Sequence, residues 1–316
     1  MKKTILVTGV GGDIGEGICK CLRARRTRVR TMGCDIEPNP ACAQWMDVQV
    51  QAPSARQVSP YRHFIDELVK KENIRFIIPG SDPEILFFDR HRDLWPPNRV
   101  HVLINDRSIL KTFMDKWSAY QFFQRHDLPT VKTWGLQETN GTLKFPLIVK
   151  PRKGAGSRGV ARVDGAQQLK AWKILLPDGI VQRYLSNEKE EYTTGIFSNG
   201  TKTAAISFRR QLGYNGVSRR VEYVDEPVLR HLALQLAKAC GLVGVLNMQT
   251  RKEAGRFFIL EVNPRFSSTV YFRHKFGFHD VGWWIDYCSG KDFHFIPKFH
   301  QGIGVRHLEE SFFNLA

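Results

Sequence analysis

Over roughly the first hundred residues, short apolar runs alternate with stretches long enough for helices. Thr4–Thr8 reads as a strand that meets the glycine turn Gly9-Val10-Gly11-Gly12-Asp13-Ile14-Gly15, before a helix over 14–25 and a strand over 28–34 ending at Asp35. A helix around 60–72 precedes the apolar run Ile74–Pro79, and Val100–Ile104 closes the region as another short strand. Strands spaced by helices of this length predict a doubly wound parallel sheet, an α/β arrangement. Asn105-Asp106 has the chemistry of a helix N-cap, and a further helix is expected over 115–126. From about residue 130 strands dominate, at 146–150, 159–163, 179–184, 191–197 and 202–208, with helices near 166–175 and 226–240, the second closed by Gly241. This half reads as α+β.

The most pointed local pattern is Phe257-Phe258-Ile259-Leu260-Glu261-Val262-Asn263-Pro264-Arg265. An apolar strand runs into Glu261 and Asn263, which share a face because side chains alternate along a strand. Pro264 ends the strand, and Arg265 suits phosphate or carboxylate. Gly244–Thr250 is a second strand, separated from the first by the turn-like 252–256. As an antiparallel hairpin the two place 245, 247 and 249 on one face with 259, 261 and 263. Asn247, Gln249, Glu261 and Asn263 then converge, an oxygen-rich set that suits a hard cation such as Mg2+. The plain alternative is a strand end whose polar side chains emerge into solvent.

Composition narrows the class without choosing a function. The 316 residues, 42% hydrophobic and 25% charged, are ordinary for a globular chain of two or three subdomains. No apolar run of about eighteen residues occurs, so no membrane span is expected. The apolar run near the N-terminus is too short for a signal peptide, which predicts a cytoplasmic location. The six cysteines (19, 21, 34, 42, 240, 288) lack metal-type spacing and read as reduced thiols. A net charge of +16 attracts anions. Part of it sits in Lys20, Arg23, Arg25, Arg26, Arg28 and Arg30, a solvated basic face or a steering field for anionic substrate; without interleaved aromatics or a recognition motif, no nucleic-acid partner is expected. The glycine turn with Asp35, joined by Tyr271-x-x-x-Lys275, also fits an NAD(P)-dependent short-chain reductase. That reading leaves little chain for a substrate domain after Lys275 and gives the 244–263 hairpin no role.

A second constellation begins at Phe145-Pro146-Leu147-Ile148-Val149-Lys150-Pro151, an apolar strand ending in lysine, followed by Arg152-Lys153-Gly154-Ala155-Gly156-Ser157-Arg158-Gly159. Glycines with a serine let backbone amides approach an anion, although a basic β-hairpin would read the same. Val181-Gln182-Arg183-Tyr184-Leu185 and then Glu191-Tyr192-Thr193 read as core strands with polar exits. Taken in order with Asp115-Lys116, Gly244-x-x-Asn247-x-Gln249 and Glu261-x-Asn263-Pro264-Arg265, this set resembles the ATP-grasp superfamily over roughly residues 1–290. It is most similar to the carbamoyl-phosphate-synthase-like branch, which includes the pyrrolysine-pathway lysine ligase.

The resemblance implies a Rossmann-like N-terminal domain over 1–105, an ATP-grasp small lobe with a glycine-rich lid over 106–185, and a large lobe with the metal site over 186–316. It implies that Lys116 and Lys150 contact ATP phosphates, and that Gly154, Gly156, Ser157 and Gly159 belong to the lid. Gln182, Arg183 and Leu185 would hold adenine, with Glu191 on ribose. Gln249, Glu261 and Asn263 would ligate Mg2+, two ions being expected and Mn2+ an acceptable substitute. Arg265, with Arg209 or Arg210, would stabilise the transferring phosphoryl group. The activity implied is ATP-dependent carboxylate–amine ligation through an acyl phosphate, with small-molecule carboxylate and amine as partners and a homodimer compatible with the family. Carbamoyl-phosphate-type activation of bicarbonate is the alternative within it. Gln182 stands where the family often has an acid, and Ser267-Ser268 replaces the frequent Ser-Gly after Pro-Arg, which opens the question of the acceptor.

Overall fold

The computed structural model describes residues 3–25, 29–139, 143–154, 156, 158–213, 216–291, 295, 297–307 and 309–311. The chain divides into two compact units, Met1–Asn105 with Arg265–His300 and His307–Ala316, and Asp106–Pro264 with Gln301–Arg306.

The first unit is built as the alternation of runs predicts. Strands β1 (Thr4–Thr8), β2 (Arg30–Asp35), β3 (Val48–Gln51), β4 (Ile74–Pro79) and β5 (His101–Val102) form a sheet in the order β3-β2-β1-β4-β5. All its pairings are parallel. Every residue of β1 is buried, as a central strand covered on both faces requires. Helices α1 (Asp13–Ala24), α2 (Val58–Lys71) and α3 (Asp82–Arg90) connect the strands. Leu6, Met32, Ile65, Ile77, Phe87 and Phe88 share one apolar core with them.

Two helices from late in the chain, α8 (Val270–Lys275) and α9 (Asp280–Cys288), also belong to this unit and pack on α1. The expectation that 186–316 forms one lobe did not separate them. Their anchor is an ion pair buried to about 1% exposure, Arg273 with Asp280 at 2.7 Å, and Arg273 also donates to the hydroxyls of Ser267 and Thr269. In the glycine turn, Asp35 accepts from the amides of Gly11 at 2.7 Å and Glu37 at 3.0 Å, so its carboxylate is tied to its own loop. A Cβ on Gly15 would lie 2.2 Å from the Gly9 carbonyl, so glycine there serves close packing of turn on helix.

The second unit opens with α4 (Arg107–Phe113) and α5 (Lys116–Arg125) and carries two antiparallel sheets. The smaller comprises β6 (Thr133–Gly135), β7 (Leu147–Lys150), β8 (Ala161–Val163) and β9 (Ile180–Arg183), ordered β6-β9-β7-β8, with α6 (Ala166–Leu175) between β8 and β9. The larger takes β10 (Glu191–Asn199), β11 (Thr203–Leu212), β12 (Ser218–Val224), β13 (Val243–Glu253), β14 (Arg256–Asn263) and β15 (Ile303–Val305) in the order β14-β13-β10-β11-β12-β15. Helix α7 (Pro227–Ala239) packs on β10 and β11. It begins at the Glu226 cap with Pro227 in its first turn, and Gly241 follows its end at φ +60°. The β13–β14 turn is Ala254-Gly255, both at positive φ, the conformation a two-residue hairpin demands.

Candidate functional site

Alternation on the smaller sheet sends Leu147, Val149, Val163 and Val181 into one apolar core with Leu136 and Leu169. The opposite face carries Ile148, Lys150 and Gln182, and all three line a cavity of about 190 Å³. Thr133, Gln182 and Ile148 are register partners across β6, β9 and β7, and Gln182 Nε2 donates to Thr133 Oγ1 at 2.9 Å. Burial pulls the Lys150 ammonium down to a pKa of about 8; Glu261 opposes the shift and Lys116 adds to it.

Lys116 opens α5 because Asp115 caps that helix, accepting from the Trp117 and Ser118 amides. Its Nζ donates to the Gly154 carbonyl at 2.6 Å and stands 3.8 Å from Glu261 Oε1. Asp115 also holds Arg152, which with Lys116 ties the start of the glycine loop to α5. Gly154 and Gly156 sit at φ +116° and +72°, where a Cβ would meet nothing within 4 Å, and Gly159 sits at +70°. A left-handed backbone in open space suits a covering loop. Gly154 and Arg158 line the cavity; the Ser157 expectation lies outside the described residues.

The larger sheet supplies the charged wall. Arg209 and Arg210 are neighbours on β11, so they face opposite ways. Arg210 is buried against the cavity, while Arg209 turns out to Glu222 at 2.8 Å and does not line it. The sequence left the choice between these two open; alternation from Glu191 separates them. Arg210 donates to Glu191 Oε1 at 2.6 Å and to Gln249 Oε1 at 3.0 Å. Arg251 pairs with Glu191 Oε2 and donates to the Leu185 carbonyl at 2.8 Å. Burial works against a charged Glu191, but Arg210 and Arg251 outweigh it and hold the carboxyl below its usual range. Glu191, expected on ribose, thus already accepts three hydrogen bonds, leaving about one lone-pair direction for a ligand. Arg251 escaped the sequence reading, although the strand period from Gln249 points to it.

In the hairpin, Gln249 pairs with Glu261 and Asn247 with Asn263. Beyond Gln249 the register shifts, Thr250 pairing with Ile259, so Leu260 is the extra residue of a β-bulge. This corrects the expected face. Ile259 joins Met248 and Val262 in the apolar core instead of sharing a face with Glu261, while Leu260 and Glu261 both reach the cavity. Gln249 and Glu261 line it; Asn263 and Asn247 do not, and Asn247 Oδ1 accepts from Thr193 at 3.0 Å. Arg183 and Leu185 also line the cavity, with Arg183 paired to Glu253 at 3.0 Å. Arg265 belongs to the first unit, where its guanidinium is held by Asp82 and donates to the Phe266 carbonyl.

Six cationic side chains, Lys116, Lys150, Arg158, Arg183, Arg210 and Arg251, line the cavity against three carboxylates, Glu188, Glu191 and Glu261. Such an excess suits a polyanion. Among the described residues no three His, Cys, Asp or Glu side chains cluster to hold a metal alone. One carboxylate beside an amide oxygen fits a magnesium ion that keeps phosphate oxygens among its ligands. No helix among the described residues is long and apolar enough to cross a membrane.

Residues 176–311 match a family model described as ATP-grasp in the biosynthetic pathway with Ter operon. The chain is 27% identical over 148 residues to the carbamoyl phosphate synthase large chain of Neisseria meningitidis, covering 42% of this chain and 14% of that one. The chain therefore spans less than half the length of the curated relatives it matches. It resembles the biotin carboxylase domain of the 2-oxoglutarate carboxylase of Hydrogenobacter thermophilus, solved with MgADP and bicarbonate, at 15% identity and TM-score 0.75 over 96% of this chain and 73% of that one. An L-amino acid ligase from Bacillus licheniformis is similar at 13% identity and TM-score 0.70, covering 91% and 74%. At these identities the structural likeness is one of fold. The family-model match over 176–311, the carbamoyl phosphate synthase relatives and the fold neighbours together support the resemblance to the ATP-grasp superfamily, in its carbamoyl-phosphate-synthase-like branch.

Proposed function

We propose that the chain is an ATP-dependent ligase joining a carboxylate to an amine through an acyl phosphate, with release of ADP and phosphate. The observation that carries this reading is the convergence of Lys116, Lys150, Gln182, Arg183, Leu185, Glu191, Arg210, Gln249 and Glu261 around one cavity with a cationic excess. The apolar walls, Ile148, Leu185 and Leu260, accept a base; Lys116, Lys150 and Arg158 meet the phosphates, under the loop from Gly154 to Gly159. Glu261 and Gln249 would hold Mg2+, which when bound neutralises the charge of the β- and γ-phosphates; Asn263, off the cavity lining, is a ligand on the resemblance alone. Arg210 reaches Gln249 and so holds that amide oxygen in place. Arg265 is a candidate for steadying the transferring group on the resemblance alone; within its own unit Asp82 holds its guanidinium. A closed glycine loop excludes water that would hydrolyse the acyl phosphate. Bicarbonate activation is a second reading, supported by the likeness to carbamoyl phosphate synthase.

The experiment is ADP release measured with amino acids and other small carboxylates, offered singly and in pairs with amines, and with bicarbonate alone. The ligase reading expects release that needs both an acid and an amine. Release with bicarbonate alone favours the second reading, and NAD(P)H turnover without ADP release would overturn both. Replacing Glu261 by alanine is expected to abolish release, a loss of at least about a thousandfold; turnover within severalfold of the parent would remove Glu261 from the metal site.

A further inference from the structure

We propose that Thr133 fixes the side-chain amide of Gln182 with its carbonyl oxygen toward the cavity, and that this pair selects a nucleobase presenting an amino group over one presenting a carbonyl. The inference rests on the nucleotide reading above and deepens it. Thr133 Oγ1 gives its single hydrogen to the Val131 carbonyl at 2.8 Å. Toward Gln182 the hydroxyl can therefore only accept, and Gln182 Nε2 supplies the donor at 2.9 Å. The opposite orientation would set two acceptors face to face. Gln182 Oε1 consequently points away from Thr133, has no hydrogen-bond partner among the described residues, and is not among the fully enclosed unpartnered atoms.

The surroundings suit a base. Ile148 stands beside Gln182 in register, and Leu185 and Leu260 supply apolar walls to the same cavity. A buried acceptor between apolar walls rewards an exocyclic amine, as adenine has, and leaves a carbonyl at that position, as in hypoxanthine or guanine, unpaired against it. Thr133, 3% exposed, is then a positioning residue and Gln182 the reader.

The test is calorimetric binding of ADP and of IDP, each with Mg2+, to the full chain and to Thr133→Val, Thr133→Ser and Gln182→Leu. The parent is expected to prefer ADP by at least about tenfold. Thr133→Ser, which keeps the hydroxyl, retains that preference. Thr133→Val frees the amide to turn and shrinks the preference severalfold or more. Gln182→Leu does the same with the Thr133–Val131 bond intact, and carries the test if the valine variant fails to fold. Adenine and hypoxanthine differ at N1 as well as at the exocyclic group, so the dependence of the ratio on Thr133 carries the assignment. An ADP/IDP ratio near one in the parent, a ratio unchanged in a folded Thr133→Val, or, should that variant not fold, a ratio unchanged in Gln182→Leu, overturns the inference while leaving the nucleotide reading intact. Binding of neither nucleotide to the parent overturns the nucleotide reading itself.

Discussion

At the scale of single residues, two buried titratable groups tie chemistry to pH. Lys150, with its pKa near 8, is partly neutral just above that pH, whereas a polyphosphate beside it favours the ammonium. Binding of ATP at pH 8–9 is therefore expected to take up a proton, and affinity to fall as pH rises through about 8. Calorimetry in buffers of different ionisation enthalpy reads that uptake, and it should vanish in Lys150→Arg. Glu84, in the first unit, is the opposite case. Its carboxyl accepts from Ser81 at 2.7 Å and Tyr61 at 3.2 Å, beneath a turn where a Cβ on Gly9 would lie 2.5 Å from it. Burial raises its pKa from 4.5 to about 7 against those hydrogen bonds. The folded state then holds the proton more tightly than the unfolded one. Stability is full below about 4.5 and falls as pH rises toward and past 7, by ~3 kcal/mol in all. Glu84→Gln should remove that slope. Denaturant unfolding of both forms at pH 5 and pH 8 measures it, and equal slopes would show that the Glu84 proton is not held.

Elements show how far the sequence was readable. Both helices and strands with strong periods, such as 14–25, 74–79 and 226–240, lie where the sequence puts them within a few residues, because burial of one face fixes the period. The 244–263 hairpin was legible in its pairing of Gln249 with Glu261 but not in its bulge. A bulge leaves composition unchanged, so alternation counted from Glu261 carried Ile259 to the wrong face. The Arg209–Arg210 choice follows from the register of the adjacent β10–β11 hairpin. The pairing of Arg251 with Glu191 depends instead on register between strands far apart in sequence; the strand period marks Arg251 as facing the site but does not name its partner. Helix α5 offers a test at this scale, since Asp115 serves both as its cap and as the tether of Arg152. Asp115→Asn keeps a capping oxygen and loses the ion pair; Asp115→Ala loses both. Alanine is expected to cost about 1–2 kcal/mol of stability and asparagine much less, while both weaken ATP binding through the loosened loop. Thermal melts and nucleotide titrations separate the two effects, and ATP affinity unchanged in both variants would detach the loop from the cap.

For the molecule as a whole, the formal charge of +16 is the one property visible from composition alone, and its distribution is what composition hides. The basic cluster on and after α1 looked like a steering field, yet Lys20 pairs with Glu16, Arg25 with Asp286 and Arg30 with Glu72. Arg26 and Arg28 lie outside the described residues. Paired cations add little to a long-range field, whereas the cavity lining keeps a cationic excess of its own. The attraction of a nucleotide should then depend on the lining more than on the cluster. The association rate of ATP is expected to fall by about tenfold as ionic strength shortens the screening length from about 30 Å to about 8 Å. Arg158→Gln should flatten that dependence, because Arg158 lines the cavity and makes no ion pair among the described residues. Removing both neutral pairs, with Arg25→Gln and Asp286→Asn, and Arg30→Gln and Glu72→Gln, should leave the slope near that of the parent, since the net charge is unchanged. Stopped-flow measurement across that range of salt distinguishes the two sources. A slope lost with the cluster and retained in Arg158→Gln would return the steering role to the region around residues 20–30.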